Sequence, residues 1–320
     1  MREHLFIHPE VADALAKRQP VVALESTVLT HGMPHPRNVE TARRVEAAVR
    51  EGGAVPATIA VLDGRIRVGL DDDDLQRLGE VGRKAWKLSR RDLPVALALG
   101  VEGSTTVAAT MIGAELAGIP IFATGGIGGV HRGAELSFDV SADLEELARS
   151  SVCVVTAGAK AVLDLPKTLE VLETRGVPVL GFGTDRFPAF YTRDSGLPAR
   201  RVDGAEEVAR ILHVKWRLGL DGGVVVANPI PEADALDPAV VGSAIDEALE
   251  QARAHGIAGG DVTPFLLERM EALTGGRSLE ANVALIIHNA RVGSAIARAL
   301  CALQNSNTLP PKAPQQRPRY

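Results

Sequence analysis

Four short segments place chemically capable side chains directly after apolar runs. In Val21-Val22-Ala23-Leu24-Glu25-Ser26-Thr27 a carboxylate closes such a run. A carboxyl at the end of a buried strand loses hydration, its pKa rises, and it can deliver a proton near neutral pH. The same position also suits a structural ion pair, for which Ser89-Arg90-Arg91-Asp92 offers arginines. In Thr156-Ala157-Gly158-Ala159-Lys160 a lysine follows an apolar run and small residues. Desolvation there would lower the pKa of the ammonium and expose an amine able to form a Schiff base, whereas a lysine that only solvates a surface fits the position equally.

The third segment, Thr124-Gly125-Gly126-Ile127-Gly128-Gly129-Val130-His131-Arg132-Gly133, is rich in glycine and follows the run 119–123. Glycines let backbone N–H groups approach an anion, and Thr124, His131 and Arg132 add donors; a simple turn is the alternative. The Gly-Lys-Ser/Thr of a nucleotide-triphosphate loop and the spacing of a dinucleotide loop are both absent, so neither cofactor is implied. The fourth segment is Phe138-Asp139-Val140-Ser141-Ala142-Asp143. One carboxylate with several waters suits a hard divalent cation, but helix capping accounts for Ser141 and Asp143 as well.

The elements that must position these residues are legible as an alternation. Apolar runs rich in Val and Ile at 21–24, 57–62, 119–123, 152–156, 177–181 and 223–227 are each followed by helical periodicity. That order predicts a central, largely parallel sheet covered by helices. Helices are expected over 38–51, 105–116 and 142–148, the last capped by Ser141. After residue 237 the strand signal fades, and three helices over 238–254, 264–273 and 279–303 should pack on the sheet. The run Asp71 to Asp74 reads as a solvated helix start rather than a metal site. From residue 304 the composition turns to Asn, Pro, Gln and Arg, so 1–303 is expected to be the domain and 304–320 a disordered tail.

At 320 residues one large α/β core or two smaller ones are allowed. Aromatics are only 3%, so the core must rest on Ala, Val, Leu and Ile. A net charge of −5 argues against nucleic acid as a partner, because such binders concentrate Lys and Arg. Cys153 and Cys301 are far apart and match no disulfide or zinc pattern, which suits a reducing, cytoplasmic setting. Neither a signal peptide nor a membrane span is expected.

Taken together the segments resemble the pseudouridine-5'-phosphate glycosidase family, also known as the indigoidine-synthesis accessory proteins. The resemblance covers about residues 7–303 and rests on the glutamate, glycine and lysine segments above. It rests equally on His31-Gly32-Met33-Pro34, Val55-Pro56-Ala57-Thr58-Ile59-Ala60, Ser89-Arg90-Arg91-Asp92-Leu93-Pro94 and Val226-Ala227-Asn228-Pro229-Ile230-Pro231.

The resemblance implies a single-domain, three-layer α-β-α fold with a mostly parallel mixed sheet. It implies that Glu25 is the proton donor, Lys160 the nucleophile, and Asp139 the holder of one Mn2+ per subunit, largely through water. Lys87, Val107 and Ser141-Ala142-Asp143 would contact substrate, Thr124 and His131 the phosphate, and Asn282 the uracil edge. A helix-surface role for Asn282 fits its position as well. The implied reaction separates pseudouridine 5'-phosphate into uracil and ribose 5-phosphate. In that reaction Glu25 protonates the ribose ring oxygen, the sugar opens, and Lys160 takes C1' as an imine-type adduct. A cytoplasmic homotrimer is implied too. A Schiff-base aldolase or lyase acting on another sugar phosphate, and a non-catalytic phosphosugar-binding regulator, are the competing readings.

Overall fold

The computed structural model describes residues 2–257 and 262–306. Its strands are β1 (Leu5–Ile7), β2 (Val21–Glu25), β3 (Val55–Leu62), β4 (Arg65–Val68), β5 (Trp86–Leu88), β6 (Gly103–Thr105), β7 (Ile121–Ala123), β8 (Val130–His131), β9 (Cys153–Thr156), β10 (Leu163–Asp164), β11 (Val179–Phe182), β12 (Arg200–Val202) and β13 (Val224–Ala227). Its α-helices are α1 (Pro9–Ala16), α2 (Arg37–Glu51), α3 (Asp72–Val81), α4 (Leu93–Leu99), α5 (Val107–Ala117), α6 (Ala134–Ser137), α7 (Ala142–Leu147), α8 (Leu165–Thr174), α9 (Ala205–Arg217), α10 (Pro238–Ala254), α11 (Val262–Leu273) and α12 (Arg277–Ser306).

The six strands expected from the apolar runs are the contiguous centre of one sheet, in the order β3-β2-β7-β9-β13-β11. Every pairing among them is parallel. These strands are buried on both faces, which is why they read as unbroken apolar runs. Five further strands extend the sheet. β4 lies antiparallel to β3 and carries β1, β12 pairs with β11, and β6 lies antiparallel to β3 and carries β5. The sheet is therefore mixed but mostly parallel, as expected.

Alternation along the strands divides the interior between two layers of helices. Val22, Leu24, Ile121, Ala123, Val155 and Val226 face α2, α9 and the C-terminal half of α12. Val21, Ala23, Phe122, Val154 and Val225 face the opposite layer, which includes α5, α7 and α10. Three layers, α-β-α, result. α12 is long and apolar enough by composition to cross a membrane, but its apolar side packs on the sheet: a side chain at Gly293 would lie 3.3 Å from Ala123.

Local signals account for the helix ends. Ser141 Oγ accepts the Asp143 N–H at 3.2 Å to cap α7, and α5 stops at Gly118 in the left-handed conformation. Asp71 accepts the Asp74 N–H at 2.8 Å, so the aspartate run is the start of α3. The last helix continues through residues 304–306, where the tail was expected to begin, and the rest of that expected tail, 307–320, lies outside the described residues.

Candidate active site

The parallel strands β2 and β9, one on each side of β7, deliver the acid and the lysine to one edge of the sheet, the edge where loops leave the carboxyl ends of strands and ligands gather. Glu25 is the last residue of β2, Thr124 follows β7, and β9 ends at Thr156 just before the lysine segment. The Thr124 hydroxyl donates to Glu25 Oε1. Loss of hydration pushes the Glu25 carboxyl above its ordinary value. The Lys160 ammonium and the Thr124 and Thr27 hydroxyls pull it partly back, while Asp143 pushes it further up.

The arginine partner considered for Glu25 is engaged elsewhere. Arg90 forms a forked pair with Glu146, with Nη2 to Oε1 at 2.9 Å, and Glu146 is fully buried. Glu25 faces the lysine instead.

Lys160 is held by its own backbone. Its N–H donates to the Ile127 carbonyl at 3.1 Å, the Ile127 N–H donates to the Gly158 carbonyl at 3.1 Å, and β8 pairs with β10 just beyond. The glycine segment and the lysine segment are thus zipped together. At Gly126 a side chain would lie 2.5 Å from the Phe190 ring and 3.3 Å from Lys160 Cγ, so glycine there lets the lysine stem pass. Phe190 itself is buried in a left-handed conformation, φ 64°, and packs edge-on against Tyr191.

The glycine segment differs from an open anion cradle. N–H groups of Thr124, Ile127, Gly128, Val130 and His131 all donate to protein acceptors. Gly128 is glycine because Ser141 and Asp143 crowd it: a side chain would lie 2.2 Å from Ser141 Oγ. Asp143 is buried and uses both oxygens, accepting from Ala108 N–H at 2.9 Å and Gly128 N–H at 2.7 Å. It ties the start of α5 to the glycine segment. Thr124, expected at the phosphate, commits its hydroxyl proton to Glu25.

The start of α5 offers a second set of groups able to meet an anion. Lys87 sits opposite Ser104 in the β5–β6 ladder, and β6 leads through Thr106 to Val107, the first residue of α5. Thr106 Oγ1 is one of two buried side-chain polar atoms without a hydrogen-bond partner among the described residues. Buried hydroxyls are usually hydrogen-bonded, so this one is free to meet a ligand oxygen or water. Hydroxyl bonds fix the segment beside Glu25, with Thr105 N–H to Ser26 Oγ at 2.9 Å and Thr27 Oγ1 to the Thr105 carbonyl at 2.7 Å.

His131 is half-buried with Nδ1 3.8 Å from Asp139 Oδ2. Burial lowers its pKa, Asp139 opposes this, and Lys160 and Lys87 lower it further. No group of three His, Cys, Asp or Glu side chains is arranged for a metal ion among the described residues. Asp139, one third exposed, can still hold a hard cation whose other ligands are water.

Next to the crevice a cavity of about 530 Å3 is lined by His31, Tyr191, Ser278 and Asn282, so Asn282 faces a cavity rather than the helix surface. His31 ends a π-helical turn, Val28–Gly32, and its pKa falls to about 4 through burial and the charges of Lys87 and Arg83. It is a neutral imidazole at neutral pH. Among these residues Thr106, Phe190 and Tyr191 were missed from the sequence. Nothing in their local pattern marks them, since their burial and backbone conformation come from distant segments.

Comparison with known proteins identifies the family. The family model for indigoidine synthase A like proteins matches residues 10–299. A pseudouridine-5'-phosphate glycosidase from Rhodospirillum centenum is 63% identical over 322 residues, covering 100% of both chains. Another of that name from Caldanaerobacter subterraneus subsp. tengcongensis is 57% identical over 298 residues, covering 93% of this chain and 97% of the relative. Among solved structures, the prealnumycin C-glycosynthase AlnA in complex with ribulose 5-phosphate superposes with a TM-score of 0.88 at 43% identity, covering 94% of this chain and 98% of that one. An indigoidine synthase A-like protein from Thermotoga maritima gives 0.84 at 35% identity, with 93% and 97% covered. The chain belongs to the indigoidine synthase A-like family.

Proposed function

We propose that this member of the indigoidine synthase A-like family is a pseudouridine-5'-phosphate glycosidase, an enzyme that reversibly cleaves the C–C glycosidic bond of its substrate to give uracil and ribose 5-phosphate. The observation that carries the reading is the desolvated Glu25 carboxyl at the end of β2 facing Lys160 from the loop after β9, with β7 between the two strands. The names of the relatives and the sugar phosphate bound by AlnA support it.

The target bond joins C1' of ribose to C5 of uracil, so protonating a leaving oxygen or nitrogen gives no direct route. Glu25 gives its proton to the ring oxygen and the C1'–O bond breaks. The Lys160 lone pair then forms a bond to C1', and the surplus proton on nitrogen returns to the Glu25 carboxylate. Uracil C5 next takes that proton from Glu25. The C1'–C5 pair then flows back into the uracil ring, while the lysine nitrogen forms a double bond to C1'. Water adds to C1', the C1'–N bond breaks, and ribose 5-phosphate leaves.

Lys87, the Thr106 hydroxyl, the Val107 N–H and His131 take the phosphate, and the Ser141-Ala142-Asp143 stretch frames the sugar. Asn282 offers an amide donor and acceptor to the uracil edge. Asp139 would hold a hydrated Mn2+, which supplies charge neutralisation and orientation when bound. The resemblance supports a homotrimer working in the cytoplasm, and light scattering should return the mass of three chains.

Incubation with pseudouridine 5'-phosphate and Mn2+ should release uracil and ribose 5-phosphate in equal amounts, and borohydride should trap a ribose phosphate adduct on Lys160. Absence of uracil would overturn the reading. Chelation or Asp139→Ala should slow turnover with the fold retained; an unchanged rate in both removes the metal from the scheme.

A further inference from the structure

The segment Asn228-Pro229-Ile230-Pro231 has no place in the scheme above, yet Asn228 is 2% exposed and lies at the sheet edge that carries the site. Its N–H donates to the Thr156 carbonyl at 2.8 Å, where β9 ends. Its side-chain amide meets that of Asn289, fully buried in α12, with Nδ2 to Oδ1 at 2.9 Å. Asn289 Nδ2 in turn donates to the Thr124 carbonyl at 2.7 Å. A carbonyl can only accept, so the Asn289 nitrogen must face Thr124, and its oxygen is left for Asn228. The amide chain therefore has one direction.

Thr124 is held at every polar atom. Its N–H donates to the Val155 carbonyl at 3.0 Å, its carbonyl accepts from Asn289, and its hydroxyl donates to Glu25. The next carbonyl, that of Gly125, accepts from the Ala157 N–H at 2.9 Å and from Thr156 Oγ1 at 3.3 Å. Thr156 Oγ1 also donates to the Gly158 carbonyl at 2.9 Å. The asparagine pair thus joins the acid side of the site to the segment that carries Lys160. An apolar pair of equal volume would fill the space without burying two amides, which cost free energy to desolvate. What amides add is direction.

We propose that Asn289 and Asn228 are positioning residues that hold the Thr124 peptide so that its hydroxyl is aimed at Glu25, which sets the geometry and proton affinity of the acid relative to Lys160. The inference rests on Glu25 being the proton donor. The charged groups acting on Glu25 are Lys160, from the loop after β9, and Asp143, from α7, and neither is altered by the substitutions below.

The test is a double-mutant cycle on the full chain, with Asn289→Leu, Thr124→Val and the pair, read by kcat, KM and the pH dependence of kcat. Asn289→Leu should lower kcat by about 10- to 100-fold, the scale of a small misplacement of reacting groups, with KM changed less than about threefold. Thr124 holds the ionised form of Glu25, so losing its hydroxyl raises the carboxyl pKa. Glu25 acts protonated, so the limb on which the rate falls with rising pH should move to higher pH. The double variant should be no worse than the worse single, because both remove one interaction. Full kcat in Asn289→Leu, a loss of kcat with the limb unmoved, or losses that multiply would each overturn the proposal. Should Asn289→Leu fail to fold, Asn228→Ala decides: it should move the limb in the same direction by less, and an unmoved limb with wild-type kcat refutes the pair's role. A wild-type chain that releases no uracil defeats the functional reading, whereas an active wild type with indifferent variants defeats only this inference.

Discussion

Two lysines contrast a structural amine with the one proposed as the nucleophile. Lys215, near the C-terminal end of α9, is 8% exposed and donates to the carbonyls of Leu220, Asp221 and Gly222 at 2.9, 2.6 and 2.9 Å. Burial pushes its pKa below the ordinary value, yet all three ammonium protons are used to close the turn after the helix. Lys160 is less buried, but its stem runs past Gly126 and its charge acts on the desolvated Glu25 carboxyl. Burial alone is therefore a poor guide to nucleophilicity. What the amine faces decides.

The sharpest way to break this contrast is to exchange the losses. Lys160→Ala should lower turnover by about 10^4-fold or more, the scale for losing a covalent nucleophile, with an unchanged denaturant midpoint. Lys215→Met should do the reverse, costing about 1–3 kcal/mol of stability through stranded carbonyls while initial rates stay within about threefold. An inactive Lys215→Met that remains folded would end the comparison.

Glu25→Gln comes next, with kcat lower by about 10^2- to 10^4-fold and the high-pH limb of the rate profile gone. Stability should move the other way. The folded Glu25 carboxyl sits above its ordinary value of 4.5, so its stabilising contribution is complete below pH 4.5 and is lost as pH rises toward the folded value. The Gln variant should therefore match wild type at pH 4 and gain in relative melting temperature as pH rises. A gap that narrows with pH would contradict the burial of this carboxyl.

Among the substitutions at the site itself, the smallest loss of turnover in this series is expected at Gly126→Ala. The added methyl meets the Phe190 ring, so overpacking of about 1–3 kcal/mol should accompany a roughly tenfold loss of kcat as the lysine stem shifts. Equal activity with lowered stability would show that the ring yields instead of the lysine.

Legibility of the fold divides along the sheet. Central strands such as Val224–Ala227 are buried at every residue, and their apolar runs announce them. Peripheral strands such as Trp86–Leu88 and Arg200–Val202 have only three residues and expose the first of them. They join through backbone hydrogen bonds, which leave little mark on the side-chain pattern, so neither the antiparallel additions to β3 nor the outer strands could be read. The last helix was expected to stop at Leu303, and it runs to Ser306.

For the glycine segment the sequence leaves an anion cradle and a simple turn both open, and the structure shows several of its N–H groups used within the protein, because close approach and N–H exposure ask for the same residue. Asn289 was invisible for another reason. Its partners Thr124 and Asn228 lie 165 and 61 positions away, and only packing of α12 on the sheet unites them.

By itself the sequence determined the α/β alternation, the strand-end positions of Glu25 and Lys160, and membership in a family, because apolar periodicity and long motifs are local properties of the chain. Tertiary structure decided which groups meet. Arg90 goes to Glu146 and leaves Glu25 to Lys160, the Thr124 hydroxyl meets the acid, and the Thr106 hydroxyl at the start of α5 has no hydrogen-bond partner among the described residues. Proton affinity and hydrogen bonding depend on neighbours from distant segments and on the water they exclude, and neither exists until the sheet has closed around them.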